Sequence, residues 1–193
     1  MNVPAQQKLT PPSTGGLVTS EGCEMESRAK AAGHAVHQQL IVFPLGLLAT
    51  AVVFDVIGLV ADDVRFASAS YLMIAAGLVM GVVAAVFGLI DYLAIPRGTR
   101  ARRIGFLHGI GNLVVLVVFF VSWLLRTGAE NNVPSAAALV LGLLALGISG
   151  ATAWLGGELV DRLGVGVDDD AGLDAPTKLT TGISVRRPHG AGT

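Results

Sequence analysis

Four uninterrupted apolar runs, each longer than twenty residues, decide what this chain can fold into: 40–61, 71–95, 104–125 and 136–160. At about 1.5 Å of rise per helical residue, each covers the ~30 Å hydrocarbon core of a bilayer. A helix of a soluble protein of this length carries a polar stripe. Here the interruptions are single residues: Asp55, Asp91, the pair His108 and Asn112, and Glu158. The chain is 52% hydrophobic and only 14% charged, which fits four spans and leaves little for a soluble domain.

The connections, at 62–70, 96–103 and 126–135, are short, so consecutive spans are antiparallel neighbours. The expected fold is all-α, an integral membrane four-helix bundle running up-down-up-down. Its helices are predicted over about 38–61, 71–95, 104–125 and 136–160. They form a transmembrane domain at 34–165, between a polar N-terminal tail at 1–33 and a polar C-terminal tail at 166–193. Both outer tails read as disordered, with 24–39 a short amphipathic helical lead into the first span. Cys23 is the only cysteine, so no internal disulfide is expected, and no apolar stretch precedes it as a lipoprotein signal requires.

Orientation follows from the cations beside the span ends. Arg28, Lys30, Arg97, Arg100, Arg102, Arg103 and Arg162 lie on one side, against Arg65 and Arg126 on the other. That bias places both termini in the cytoplasm of a multi-pass cell-membrane protein. The lipid bilayer is the first partner. A net charge of −1 offers nothing to nucleic acid. Gly77 and Gly81 continued by Ala84 and Gly88, Gly105 and Gly109, and Ser149, Ala153 and Gly157 form small-residue stripes where helices can approach closely, within the chain or in a homo-oligomer.

Depth along the spans brings four ionisable residues to one level. His37 lies at the cytoplasmic start of the first span, Asp91 one turn before Pro96, His108 one turn after Arg103, and Glu158 one turn before Arg162. His34 lies on the same helical face as His37. Asn112 lies one turn deeper than His108, Trp154 one turn deeper than Glu158, and Pro44 leaves the Leu40 carbonyl without its helical donor. Ionisable groups inside a membrane cost several kcal/mol unless paired or hydrated, which marks them as functional candidates. The plain alternative is that each is an interfacial anchor snorkelling to the headgroups. Asp55 stands apart near the outer end and is expected to pair with Arg65 in a structural role.

Catalytic signatures are missing. Gly109-Ile110-Gly111 lies inside a span and cannot be a nucleotide loop, and Asp168-Asp169-Asp170 has no calcium-loop spacing. Neither a cysteine pair, an HExxH pattern nor a nucleophile elbow occurs, and His189 lies in the terminal tail. No catalytic residue can be named and enzymatic activity is left open.

At the stretches 33–44 (GHAVHQQLIVFP), 87–103 (FGLIDYLAIPRGTRARR), 107–113 (LHGIGNL) and 154–167 (WLGGELVDRLGVGV), the chain resembles a bacterial membrane family known only as domain of unknown function 2231. The family's opening histidines are usually followed by prolines; Ala35 and Gln38 replace them here, while His34 and His37 are kept. The resemblance implies a four-helix protein, and its members are sometimes joined to Rieske-type iron–sulfur domains, which implies a link to electron transfer and a redox protein partner.

Two function classes follow most directly from the polar layer. In an up-down bundle the first and third spans are diagonal, so His37 and His108 can face each other as axial ligands of a b-type haem. Gly105, Gly109 and Gly111 would then make room for the ring, with Arg102 and Arg103 near its propionates. His34 and Asn112 join His37 and His108 as cofactor-binding candidates. Alternatively His37, Asp91, His108 and Glu158 form a mixed nitrogen and oxygen set for a divalent transition metal. A small transporter or proton pathway through Asp91, His108 and Glu158 is a third reading. A non-catalytic scaffold that docks a redox partner through its arginine loop is a fourth.

Overall fold

The computed structural model describes residues 25–175 and residue 177. The readings made of 1–24 and of 178–193, Cys23 and His189 among them, lie outside the described residues.

The chain opens with a hairpin where a helical lead was expected. Strands β1 (Lys30–Ala31) and β2 (His34–Ala35) pair antiparallel, Ala31 opposite His34. The two residues between them, Ala32 at φ 51° and Gly33 at φ 83°, both take positive φ, which a two-residue hairpin with right-twisted strands requires. Gly33 is the residue that makes this inexpensive, and helix begins only at Val36. Helix α1 (Val36–Leu40) is followed directly by α2 (Val42–Ala61). The ladder breaks at Ile41 because Pro44 has no N–H for the Leu40 carbonyl. Together they make the first span.

Helix α3 (Val64–Ala94) is longer than the apolar run suggested. The expected connection at 62–70 shrinks to Asp62, in left-handed conformation at φ 53°, and Asp63, whose carboxylate caps the helix by accepting from the Arg65 N–H. Ile95 leaves the helix ahead of Pro96, as residues before proline must. Helix α4 (Arg100–Leu124) is capped by Thr99, and α5 (Ala136–Gly157) by Ser135. A π-helical turn, Glu158–Arg162, ends the last span.

Helix α2 packs on α3, α3 on α4, α4 on α5, and α5 returns to α2, which closes a four-helix bundle with α2 and α4 diagonal. Gly77 and Gly81 lie against Leu48 and Leu116, so this small-residue stripe serves contact within the chain. Gly109 meets nothing within 4 Å and Ala153 is exposed. Leu48, Ala51, Val52, Ile74, Val115, Phe119 and Ala145 form the core. Large apolar side chains such as Val60, Leu72, Val79 and Leu93 face outward. Four helical stretches, Val36–Ala61, Val64–Ala94, Arg100–Leu124 and Glu130–Arg162, are long and apolar enough to cross a membrane. An apolar exterior of this kind suits hydrocarbon, and the chain is a multi-pass membrane protein.

One end of the bundle is closed by an ion pair that ties all four helices. Arg126, just past α4, donates from both Nη atoms to the two Asp55 oxygens of α2, each at 2.7 Å, and both side chains are fully buried. Its Nη atoms also donate to Ser70 of α3 at 3.1 Å and Ser122 of α4 at 3.2 Å, while Ser122 donates to the Ala138 carbonyl of α5. This corrects the expected partner of Asp55. Arg65 is instead forked onto Asp63, two residues before it, on the bundle's exterior. That guanidinium, with the Arg65 N–H second, pulls the Asp63 carboxyl down to about 2. Because the folded value is depressed, the interaction is in place above the ordinary value of 3.8 and is lost as pH falls through about 2.

Removing one member of a buried pair strands the other charge, at a cost of about 3–5 kcal/mol, whereas replacing both by apolar groups of similar size is often near neutral. Asp55→Ala should therefore destabilise the detergent-solubilised protein by that amount in a denaturant titration. The double variant Asp55→Leu/Arg126→Met should lie within about 1–2 kcal/mol of the parent. A single variant as stable as the parent would show that the pair does not hold this end together.

Candidate functional site

At the opposite end of the bundle, two imidazoles meet across its axis. His37 projects from α1 and its Nδ1 lies 2.8 Å from the Ala84 carbonyl of α3. His108 projects from α4 and its Nδ1 lies 2.9 Å from the Thr152 carbonyl of α5. A carbonyl oxygen only accepts, so each neutral ring carries its proton on Nδ1 and keeps the Nε2 lone pair. The ring centres are 6.5 Å apart and the planes cross at 88°.

Each ring rests where a glycine leaves space. A Cβ on Gly88 would come within 2.7 Å of His37 Cε1, and one on Gly156 within 3.0 Å of His108 Cε1. The glycines expected on α4 to make room for a haem lie elsewhere than under these imidazoles. Gly105 lies against Tyr92 and Ile95, Gly111 against the Thr152 methyl, and Gly109 opens outward. Asn112 supports His108 from one turn deeper: its Nδ2 donates to the His108 carbonyl at 2.9 Å and lies 3.2 Å from His108 Nε2. The Thr152 hydroxyl is 3.2 Å from Asn112 Oδ1.

The other residues of the predicted layer are engaged elsewhere. Asp91 turns toward the chain's beginning, where Ser27 Oγ donates to its oxygens at 2.8 and 3.0 Å and the Arg28 and Ala29 N–H groups donate to Oδ1 at 3.0 and 3.4 Å. The Ala29 carbonyl in turn accepts from the Val36 N–H, next to His37. Glu158 accepts from Arg100 at 2.6 Å, joining the end of α5 to the start of α4. His34 is exposed, its Nδ1 on the Ala32 carbonyl, and it lines a surface concavity of about 450 Å³ with Gln38 and Gly166. Trp154 faces outward. Among the described residues, no group of three or more His, Cys, Asp or Glu side chains is placed to hold a metal ion. Two of the supposed metal ligands are thus braces: Asp91 anchors the segment leading to His37, and Glu158 clamps the helix pair that carries His108.

Beneath this level the two flanks of the chain form one cap. Met25 pairs with Val165, its N–H on the Gly164 carbonyl and its carbonyl on the Gly166 N–H. Lys30 bridges Glu26 and Asp168, which raise its pKa, Asp168 most. Arg102 is folded back onto the Tyr92, Leu93 and Ile95 carbonyls and over the Tyr92 ring, away from the histidines.

Gly88→Ala should push His37 off its carbonyl, because a Cβ would meet the ring along three atoms within 3.2 Å. Gly156→Ala should disturb His108 less, its two further ring contacts being 3.5 and 3.9 Å. Imidazole ¹⁵N and ¹H shifts of the two histidines read the effect directly, and equal or negligible perturbation in both variants would contradict this packing.

The chain was compared with known proteins on this footing. No curated protein and no solved structure matches it. The model of one family, described as predicted membrane protein (DUF2231), matches residues 33–169.

Proposed function

Because the chain belongs to the family described as predicted membrane protein (DUF2231) and that description assigns no reaction, function must be argued from the side chains, and we propose a redox-linked membrane protein holding haem b between His37 and His108. The observation that carries this reading is the spacing of the two rings. With ring centres 6.5 Å apart, His37 and His108 are near enough that both would hold one metal-centred group placed between them. The tautomers also suit: each Nδ1–H is held by a backbone carbonyl, the arrangement that orients a ligating histidine and leaves Nε2 for the metal. A bare divalent ion needs three or four protein ligands, and Asp91 and Glu158 are committed elsewhere. A macrocycle brings its own four nitrogens and asks the protein for two.

Bound haem would supply one-electron transfer. The chain's part is to hold and orient: Ala84 and Thr152 set the ring rotations, Gly88 and Gly156 admit the rings, and Asn112 fixes the lower edge of His108. What weighs against a proton or ion path is the region beyond the pair. Leu48, Ala51, Val52, Ile74, Val115, Phe119 and Ala145 fill it, and they offer no side chain that carries a proton. Four spans put both ends of the domain on one side. The count of seven cations beside the site's end against two at the other favours a cytoplasmic site. Arg97 on the loop and Arg103 in the first turn of α4, both exposed, suit a redox partner with an acidic face.

Protein purified after haem-replete expression should show a b-type spectrum with about one haem per chain, as one histidine pair implies. His37→Ala and His108→Ala should each abolish it, while Asp91→Asn and Glu158→Gln retain it. A folded, colourless protein that takes up no haemin would overturn the reading. Loss of the spectrum on changing either acid, with the protein still folded, would return those acids to the ligand set.

A further inference from the structure

The two histidines are held in the same way, and the likeness does not stop there. His37 donates to the carbonyl of Ala84 and lies on Gly88, four residues on; His108 donates to the carbonyl of Thr152 and lies on Gly156, again four residues on. The offset of 71 residues that takes Asp55 to Arg126 also takes His37 to His108, Leu48 to Phe119 and Ala51 to Ser122. An offset three residues shorter takes Ser70 to Ala138, Ile74 to Gly142, Gly77 to Ala145, Ala84 to Thr152 and Gly88 to Gly156. Burial follows the same register. Both members are buried in the pairs Leu48 and Phe119, Ala51 and Ser122, Asp55 and Arg126, Ser70 and Ala138, Ile74 and Gly142, Gly77 and Ala145, and Ala84 and Thr152.

We propose that the four spans are two copies of one helical hairpin, α2–α3 with α1 and α4–α5, related by a pseudo-two-fold axis along the bundle. Both polar contacts on that axis, imidazole to imidazole at one end and Asp55 to Arg126 at the other, are junctions between the copies. The packing order agrees. A two-fold rotation exchanges α2 with α4 and α3 with α5, so it turns the α3–α4 contact into the α5–α2 contact, and those are the two contacts between hairpins. Asp55 and Arg126 follow their histidines by five helical turns, roughly 27 Å, so each lies on the same helical face as its histidine at the far end. The Arg126 contacts fit as well: Ser122, one turn before it, corresponds to Ala51, and Ser70, on the helix of the other copy, corresponds to Ala138. The copies have diverged at the axis so that like positions carry opposite charges, which a strict two-fold could not pair.

For the site, the consequence rests on the haem reading above: the ligand lies on the axis and takes one equivalent imidazole nitrogen from each copy. A flat, near-symmetric molecule fits such a position, whereas an elongated substrate with distinct ends does not.

Exchanging the axial charges in the full-length protein tests the duplication without any ligand. Asp55→Arg and Arg126→Asp alone should each lower the thermal midpoint strongly. The double exchange should restore most of the loss. Adding Ala51→Ser, Ser122→Ala, Ser70→Ala and Ala138→Ser, which moves the hydroxyls with the arginine, should restore the rest. A sixfold exchange no better than the worse single variant would overturn the duplication. As a second measure that needs no variant to fold, ¹⁵N spectra should give both parent imidazoles as Nδ1–H tautomers; an Nε2–H form at either would also overturn it. Haemin binding then separates the two ideas. If the exchange succeeds while the parent binds no haemin, the ligand is wrong and the duplication stands.

Discussion

Nothing in hydrocarbon replaces a lost hydrogen bond, and this bundle is organised by that constraint. Every strongly polar side chain drawn inside must find its partners among the four helices. Two sets do so, at opposite ends of an apolar core. At one, Asp55 and Arg126 satisfy each other and draw a hydroxyl from α3 and another from α4. At the other, two imidazoles spend one nitrogen each on a backbone carbonyl that an α-helix already uses only once. The difference matters. The ion pair leaves a guest only the Arg126 Nε–H, a buried donor without a partner among the described residues and without a lone pair to offer, since both carboxylate oxygens and both terminal guanidinium nitrogens are taken. His37 retains an Nε2 lone pair and His108 has only the Asn112 amide, at 3.2 Å, beside its own, which is why the second set and not the first reads as a site.

How much of this the sequence disclosed depends on the direction in question. Depth along a span is legible, because the rise per residue is fixed, and it placed His37, Asp91, His108 and Glu158 near one level. Rotation about the helix axis is set by packing, and a uniformly apolar helix gives it no periodicity to read. Asp91 and Glu158 therefore look like His37 and His108 on paper, yet they turn toward Ser27 and Arg100. Arg126 was counted as a loop charge for the same reason: its guanidinium reaches back into the core from just outside the span. The start of α3 was misjudged because Arg65, Ser68 and Ser70 read as loop, although Ser70 points inward to the arginine and the chain turns in two residues.

Gly88 and Gly156 show what a different reading would have found. Each sits four residues after the residue whose carbonyl holds a histidine, and each is useful only because another helix brings a ring against it. A search for small-residue stripes along single helices finds Gly88, at the end of the α3 stripe, but passes over Gly156 and gives no sign of the ring against either. A comparison of one half of the chain with the other finds both at once, together with the axial charges. The weak similarity of the halves, Ile74 against Gly142 or Leu48 against Phe119, reflects the freedom of a core to exchange volume across an interface so long as the sum is kept.

The pairing of Met25 with Val165, and of Lys30 with Asp168, bears on how the molecule is made. A ribosome delivers Met25 before the first span has entered the bilayer, but its partner strand follows the last. Asp91 can hold Ser27, Arg28 and Ala29 once α3 is in place, but Met25 meets its backbone partners only after the last span is inserted. Closure of the cap then follows insertion of the last span, and a chain truncated before Val165 would leave Met25 without its backbone partners.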